Sequence, residues 1–141
     1  MANRDPNIDP QIGDVWWIDF DAPNDEGDNK EDFALSSEAI GSEQKHRRPA
    51  VVIITKFTPE SHSVCTVIPF TKWKQHHNDR LYLIVVEKSA INGLNLDSSA
   101  LIGQIQTISL SRFREKMGAL EDEYLQAIKK TILLAIQYEE I

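Results

Sequence analysis

The sequence predicts a mainly β domain, a small and strongly bent sheet or partly open barrel closed by one C-terminal α-helix. Short runs rich in β-branched and aromatic residues recur between turn-forming stretches from Gly13 to Ile108, and no helical pattern alternates with them as a parallel sheet would require. After Leu120 the hydrophobic period lengthens from two residues to about four. The 141 residues amount to one domain, long enough to hide roughly 70% of the unfolded surface.

The elements follow in order. Residues 1–11 read as an N-terminal tail. They carry no apolar signal-like core, and the single cysteine, Cys65, cannot form an internal disulfide, so a cytoplasmic location is expected. The run Gly13–Phe20 is the first strand, with Val15, Trp17 and Asp19 on one face and Trp16, Ile18 and Phe20 on the other. Residues 21–42 are polar, acidic and poor in aromatic side chains, and read as a long loop that cannot offset its ordering entropy by burial. Two apolar runs, 49–56 and 63–70, flank the turn-prone stretch 58–62 and predict a buried hairpin. Leu81–Val86 is a further strand, 91–98 carries turn chemistry, and 99–108 reads as a fifth strand with Gly103 at a bulge. A short helical piece is expected around Ser111–Lys116. The final helix shows Leu120, Tyr124, Ile128, Ile132 and Ile136 every four residues, with Glu121, Asp122 and Glu123 at its start as the helix dipole prefers. Its end, Thr131–Ile136, is apolar nearly all round, which predicts cover by the barrel or by a second subunit.

Charge is polarised along the chain. Fifteen basic against 22 acidic residues leave a net −7, a poor surface for nucleic acid on average. The segment 21–43 alone holds Asp21, Asp25, Glu26, Asp28, Glu31, Asp32, Glu38 and Glu43 against Lys30, which accounts for the whole excess. The next stretch, 44–80, is basic through Lys45, Arg47, Arg48, Lys56, Lys72, Lys74 and Arg80, and it holds all four histidines. Acidic loop and basic stretch therefore suit different partners, or one screens the other. No run of apolar residues is long enough to span a membrane.

Phosphate-cradling glycine loops and zinc motifs are absent from the sequence. Adjacent His76 and His77 point apart in regular structure and read as a solvated loop rather than a metal site, and Cys65 reads as a buried, inert thiol. The informative stretch is 41–50, which leads a polar loop into a strand. Pro49 fixes its own φ and drives Arg48 toward an extended backbone, holding a five-donor guanidinium at the mouth of the sheet. Thr71 ends the next strand, and its hydroxyl would serve the same anion if the two strands were neighbours. The competing reading pairs Arg48 with a carboxylate and leaves Thr71 as a turn cap.

Taken together, residues 13–21, Gly41-Ser-Glu-Gln44, Arg48-Pro-Ala-Val-Val52, Val67-Ile-Pro-Phe-Thr71 and Gln104-Ile-Gln-Thr-Ile108 resemble the MazF/PemK family of toxins from type II toxin–antitoxin systems, in the family's order from about residue 12 to 138. The resemblance implies an SH3-like barrel, a homodimer, and a metal-independent endoribonuclease that needs no cofactor, cuts single-stranded RNA and is neutralised by a cognate antitoxin with an acidic or amphipathic tail. By the same resemblance Arg48 and Thr71 are catalytic, with Glu43 as base or as positioner of the attacking hydroxyl. His46 is a rival base on chemical grounds. Gln44, Arg47, Lys72, Trp73 and Lys74 would bind RNA, through backbone attraction and stacking.

Two departures from the family stand out. The acidic connection is longer than expected, and Leu101 and Gly103 stand where some relatives use an arginine and an aspartate, so a mechanism relying on those two groups is excluded. The alternative class is a noncatalytic binding module on the same fold, a gyrase-poison-like protein or a decayed toxin that only holds an antitoxin.

Overall fold

A computed structural model describes residues 8–20, 47–56, 63–80 and 82–137. Seven strands, β1 (Asp14–Asp19), β2 (Arg47–Ile54), β3 (Val64–Lys72), β4 (Leu83–Val86), β5 (Ser98–Leu101), β6 (Gln106–Ser109) and β7 (Phe113–Ala119), precede one helix, α1 (Asp122–Gln137). They form one sheet in the order β4-β5-β3-β2-β1-β7, with β6 also on β3. Every pairing is antiparallel. The predicted hairpin is present: β2 and β3 pair with Val51 opposite Ile68 and Val52 opposite Val67.

Alternation along the strands separates two cores, one on each face of the sheet. Val15, Val51, Ile68, Phe70, Ala100 and Ile128 belong to one, and Trp16, Ile18, Ala50, Val52, Cys65, Val67 and Phe113 to the other. Val15, of the odd set predicted for the first strand, falls on one side and the even set Trp16, Ile18 and Phe20 on the other, and Trp16 meets Phe113 edge to face at 5.5 Å. The sheet is thus covered twice. Cys65 is buried, as expected.

Two expectations are corrected. The run 99–108 is not one strand: β5 pairs with the end of β3, a 3-10 turn at Ile102–Gln104 makes a corner, and β6 pairs with the start of β3. Gly103 sits at that corner, where an added Cβ would meet open space. One long strand therefore receives two short ones on the same edge, and the corner supplies the bend. The helical piece expected at 111–116 is instead a 3-10 turn, Leu110–Arg112, followed by β7. Phe113 enters the core while Arg114, Glu115 and Lys116 are exposed, so a single apolar anchor before a run of charges hid the strand.

The helix lays Ile128 into the first core, with Tyr124, Leu125 and Ile132 packed beside it. Its far end is not covered by the barrel, since Leu133, Leu134 and Ile136 are more than half exposed. Among the described residues no helix is long and apolar enough to cross a membrane.

Candidate functional site

β2 and β3 carry the two residues singled out from the sequence. Their ladder runs Val52 with Val67, Val51 with Ile68 and Ala50 with Pro69. The pairs end there; the same register carried two steps further would set Arg48 opposite Thr71. Both then share the face of Ala50, Val52 and Val67, because directly opposed residues of an antiparallel pair project to one side. Pro49 and Pro69 lack the backbone N–H, so the ladder loses donors here, at the edge of the site. The two strands predicted to be neighbours if Thr71 was to serve the same anion are neighbours.

Arg48 is 5% exposed and Thr71 is fully buried. Neither is without a partner. A buried guanidinium is costly to desolvate, and in such surroundings its charge acts far more strongly than in water.

The row continues beyond Thr71. β5 pairs with β3 on the other edge, with Thr71 opposite Ser99 and Phe70 opposite Ala100. Ser99 is fully buried, and its Oγ lies 2.9 Å from Nδ1 of His77, itself 3% exposed. The expectation of a solvated His76-His77 loop is therefore corrected. The 3-10 turn Gln75–Asp79 lies beside β4 and reaches β5 through His77, its start secured by the Lys74 N–H donating to the same Nδ1 at 3.2 Å, and His76 meets His77 edge to face at 4.6 Å. Ser99 and His77 were missed in the sequence. The only signal was a pair of hydroxyls opening an otherwise apolar strand, and a histidine doublet does not announce which ring turns inward.

The remaining predicted residues are placed as follows. Glu43, Gln44 and the rival His46 lie outside the described residues, as does the acidic stretch 21–42. Arg47 is on the sheet face opposite Arg48, by alternation, and its Nε is 3.5 Å from the Asp19 carboxylate. Arg114 reaches the same carboxylate at 3.4 Å, so Asp19 gathers two partly exposed arginines. Lys72 is exposed at the end of β3, while Trp73 and Lys74 are half-buried. The Trp73 indole N–H donates to Asn78 Oδ1 at 3.0 Å and its backbone N–H to Asp97 O at 2.9 Å, which ties that ring to the turn carrying His77. Among the described residues no group of three or more potential metal ligands converges.

Against known proteins, residues 11–136 match the model of the PemK-like, MazF-like toxins of type II toxin–antitoxin systems. The chain is 28% identical over 128 residues to the endoribonuclease toxin MazF of Escherichia coli K12, covering 90% of this chain and 94% of that one. Its fold matches the crystal structure of MazF from Deinococcus radiodurans with a TM-score of 0.60 at 14% identity, over 94% of this chain and 100% of the other. It also matches a mycobacterial endoribonuclease in complex with its cognate antitoxin, with a TM-score of 0.59 at 11% identity, over 94% of this chain and 99% of that one. At these identities the structural matches speak for the fold alone.

Proposed function

This chain belongs to the PemK-like, MazF-like toxins of type II toxin–antitoxin systems, and from that premise we propose that it is an endoribonuclease cutting single-stranded RNA at short sequences without a metal ion. The observation that supports the reading is that Arg48 and Thr71 lie on two neighbouring, paired strands, β2 and β3, and are both buried. In such cleavage the ribose 2′-oxygen bonds to the adjacent phosphorus while the bond to the 5′-oxygen breaks, leaving a 2′,3′-cyclic phosphate and a free 5′-hydroxyl. The 2′-hydroxyl gives its proton to a base, the leaving oxygen gains one, and negative charge builds on the non-bridging oxygens.

Arg48 supplies what that charge needs, a donor-rich cation in a low-dielectric setting. Thr71 orients the scissile linkage through its hydroxyl, and Glu43 is the base or positions the 2′-hydroxyl. Gln44, Arg47, Lys72, Trp73 and Lys74 hold the flanking strand, Arg47 from the other face of β2. The functional unit in this reading is a homodimer silenced by a cognate antitoxin; the mycobacterial endoribonuclease forms a complex with its own.

One observation favours a second reading. Arg48 and Thr71 are shut off from solvent, which contact with RNA does not call for. A noncatalytic module that merely holds an antitoxin or another protein needs neither side chain in the open. The test is incubation of purified protein with a long single-stranded RNA in EDTA. Cyclic phosphate ends that disappear with Arg48→Ala support the endoribonuclease. Intact RNA after prolonged incubation, with tight binding to the antitoxin retained, supports the binding module.

A further inference from the structure

We propose that Arg47 and Arg114, gathered by Asp19, bind one phosphate of the RNA strand outside the scissile linkage, with Asp19 as their positioning residue; this rests on RNA being the substrate. Arg114 has no part in the function proposed above, and it reaches the site from a different strand than Arg47 does.

Asp19 ends β1, which lies between β2 and β7 in the sheet. From one side Arg47 brings its Nε to 3.5 Å from Asp19 Oδ2, and from the other Arg114 brings Nη2 to 3.4 Å from the same oxygen. Two guanidiniums from separate strands thus converge on one atom, close enough together for a single phosphate to span them. Among the described residues Asp19 is the only carboxylate paired with either, and one negative charge cannot neutralise two positive ones. Positive charge is left over at this corner of the sheet.

Donors are left over as well. The Arg47 side chain is 42% exposed, and among the described residues its two Nη groups have no partner. Arg114 is fixed in place, since Nη1 donates to Ser111 O at 2.8 Å and to Phe113 O at 3.3 Å. A guanidinium already held by its own strand and turn loses little freedom when it binds an anion. Exposed ion pairs add little to stability, so joining three strands does not account for doubling the arginines. Lys116 of the same strand shows the simpler arrangement, pairing one to one with Asp14 at 3.5 Å. Because Arg47 directly precedes Arg48 in β2, RNA with one linkage at Arg48 meets the pair where it passes the start of that strand.

The experiment follows binding of a 2′-O-methylated single-stranded RNA, which has no 2′-hydroxyl to attack with, by fluorescence anisotropy over a salt series. Arg114→Gln and Arg47→Gln each weaken binding about fivefold at about 0.1 M salt and lower the slope of log K against log salt by about 0.7, the share of one phosphate on a single strand. The double variant lowers the slope no further than either single one, because both arginines hold the same phosphate. Lys116→Gln removes an equal charge from the same strand and changes binding less than about twofold. Asp19→Asn adds one unit of positive charge yet weakens binding about threefold, because the arginines lose their common anchor. Melting temperatures are read alongside, and the exposed Arg114→Gln keeps the test decisive if Asp19→Asn fails to fold. Arg114→Gln that binds like Lys116→Gln overturns the inference, as does tighter binding by Asp19→Asn, and cleavage of unmodified RNA by the wild type then leaves the endoribonuclease standing. Binding of polyglutamate that needs Arg114, with RNA binding unchanged in that variant, makes the pair a peptide site and also overturns it. Arg114-dependent binding of RNA without cutting keeps the phosphate site and removes the endoribonuclease. Wild-type protein that neither binds nor cuts RNA overturns both.

Discussion

Two groups of buried polar side chains among the described residues are built on different plans. Near the start of α1, Asn92 is fully buried and uses every group it has. Its Nδ2 donates to Glu87 O and Glu121 Oε1, both at 3.0 Å, and its Oδ1 accepts from the N–H groups of Ser89 and Leu94 at 3.1 and 3.0 Å. Ser89 completes the knot by donating to Glu121 Oε2 at 2.7 Å and accepting from the Asn92 N–H at 3.0 Å. Most of these bonds serve backbone groups of the turn at 87–94, which would otherwise be stranded against β7. Beside β3, buried His77 places Nδ1 2.9 Å from the Oγ of buried Ser99, and the Lys74 backbone N–H donates to the same nitrogen at 3.2 Å. A hydroxyl and an imidazole here meet each other directly. The first is a closed knot within one turn, whereas the second joins a strand, β5, to the turn that follows β3.

The sharpest test sets the proposed site against the knot and reads activity and stability separately. Arg48→Ala lowers the rate of RNA cleavage by about a thousandfold, roughly 4 kcal/mol of transition-state stabilisation, and moves the unfolding midpoint less than the next variant does. Asn92→Ala strands several buried partners, and denaturant unfolding shows a loss of about 3 kcal/mol with the cleavage rate per folded molecule unchanged. Equal activity losses in the two variants would erase the distinction between them.

Gly93 sharpens the same point from the backbone side. Its φ of +75° suits glycine, and an added Cβ would lie 2.0 Å from Met117 O. Gly93→Ala costs about 2 to 3 kcal/mol in the same unfolding measurement, again without a specific effect on cleavage.

The smallest effect is set by pH. Burial disfavours the charge on Glu121, but hydrogen bonds from Ser89, its own backbone N–H and Asn92 outweigh it and hold the carboxyl below its ordinary value of 4.5. Its folded value is the lower one, so its contribution to stability is complete above pH 4.5 and is lost as pH falls through that folded value. A Glu121→Gln protein loses this part of the acid dependence, seen as a flatter melting temperature against pH over that window, while the acid dependence contributed by other carboxylates persists.

Much of the molecule was legible in the chain itself. The first strand, the hairpin of β2 and β3, the turn at 91–98 and α1 follow from periodicity and turn chemistry, which are properties of near neighbours in sequence. Arg48 and Thr71 were legible because proline and strand ends mark them locally. The errors fell where local signals are ambiguous. Arg112 to Lys116 mixes charge with one phenylalanine and suits helix or strand until Phe113 finds the second core, and 99–108 reads as one strand until β3 offers room for two.

By itself, the order of residues determined a β-rich domain closed by a helix and the buried hairpin at its centre. Only the tertiary structure decided that Ser99 pairs with Thr71, that His77 turns inward to meet that serine, and that Arg47 and Arg48 part to opposite faces with Asp19 holding the former. The reason is physical: periodicity is written in neighbouring side chains, whereas register is set by which distant strands bury their apolar faces together, and polar contacts between distant segments exist only once that register is fixed.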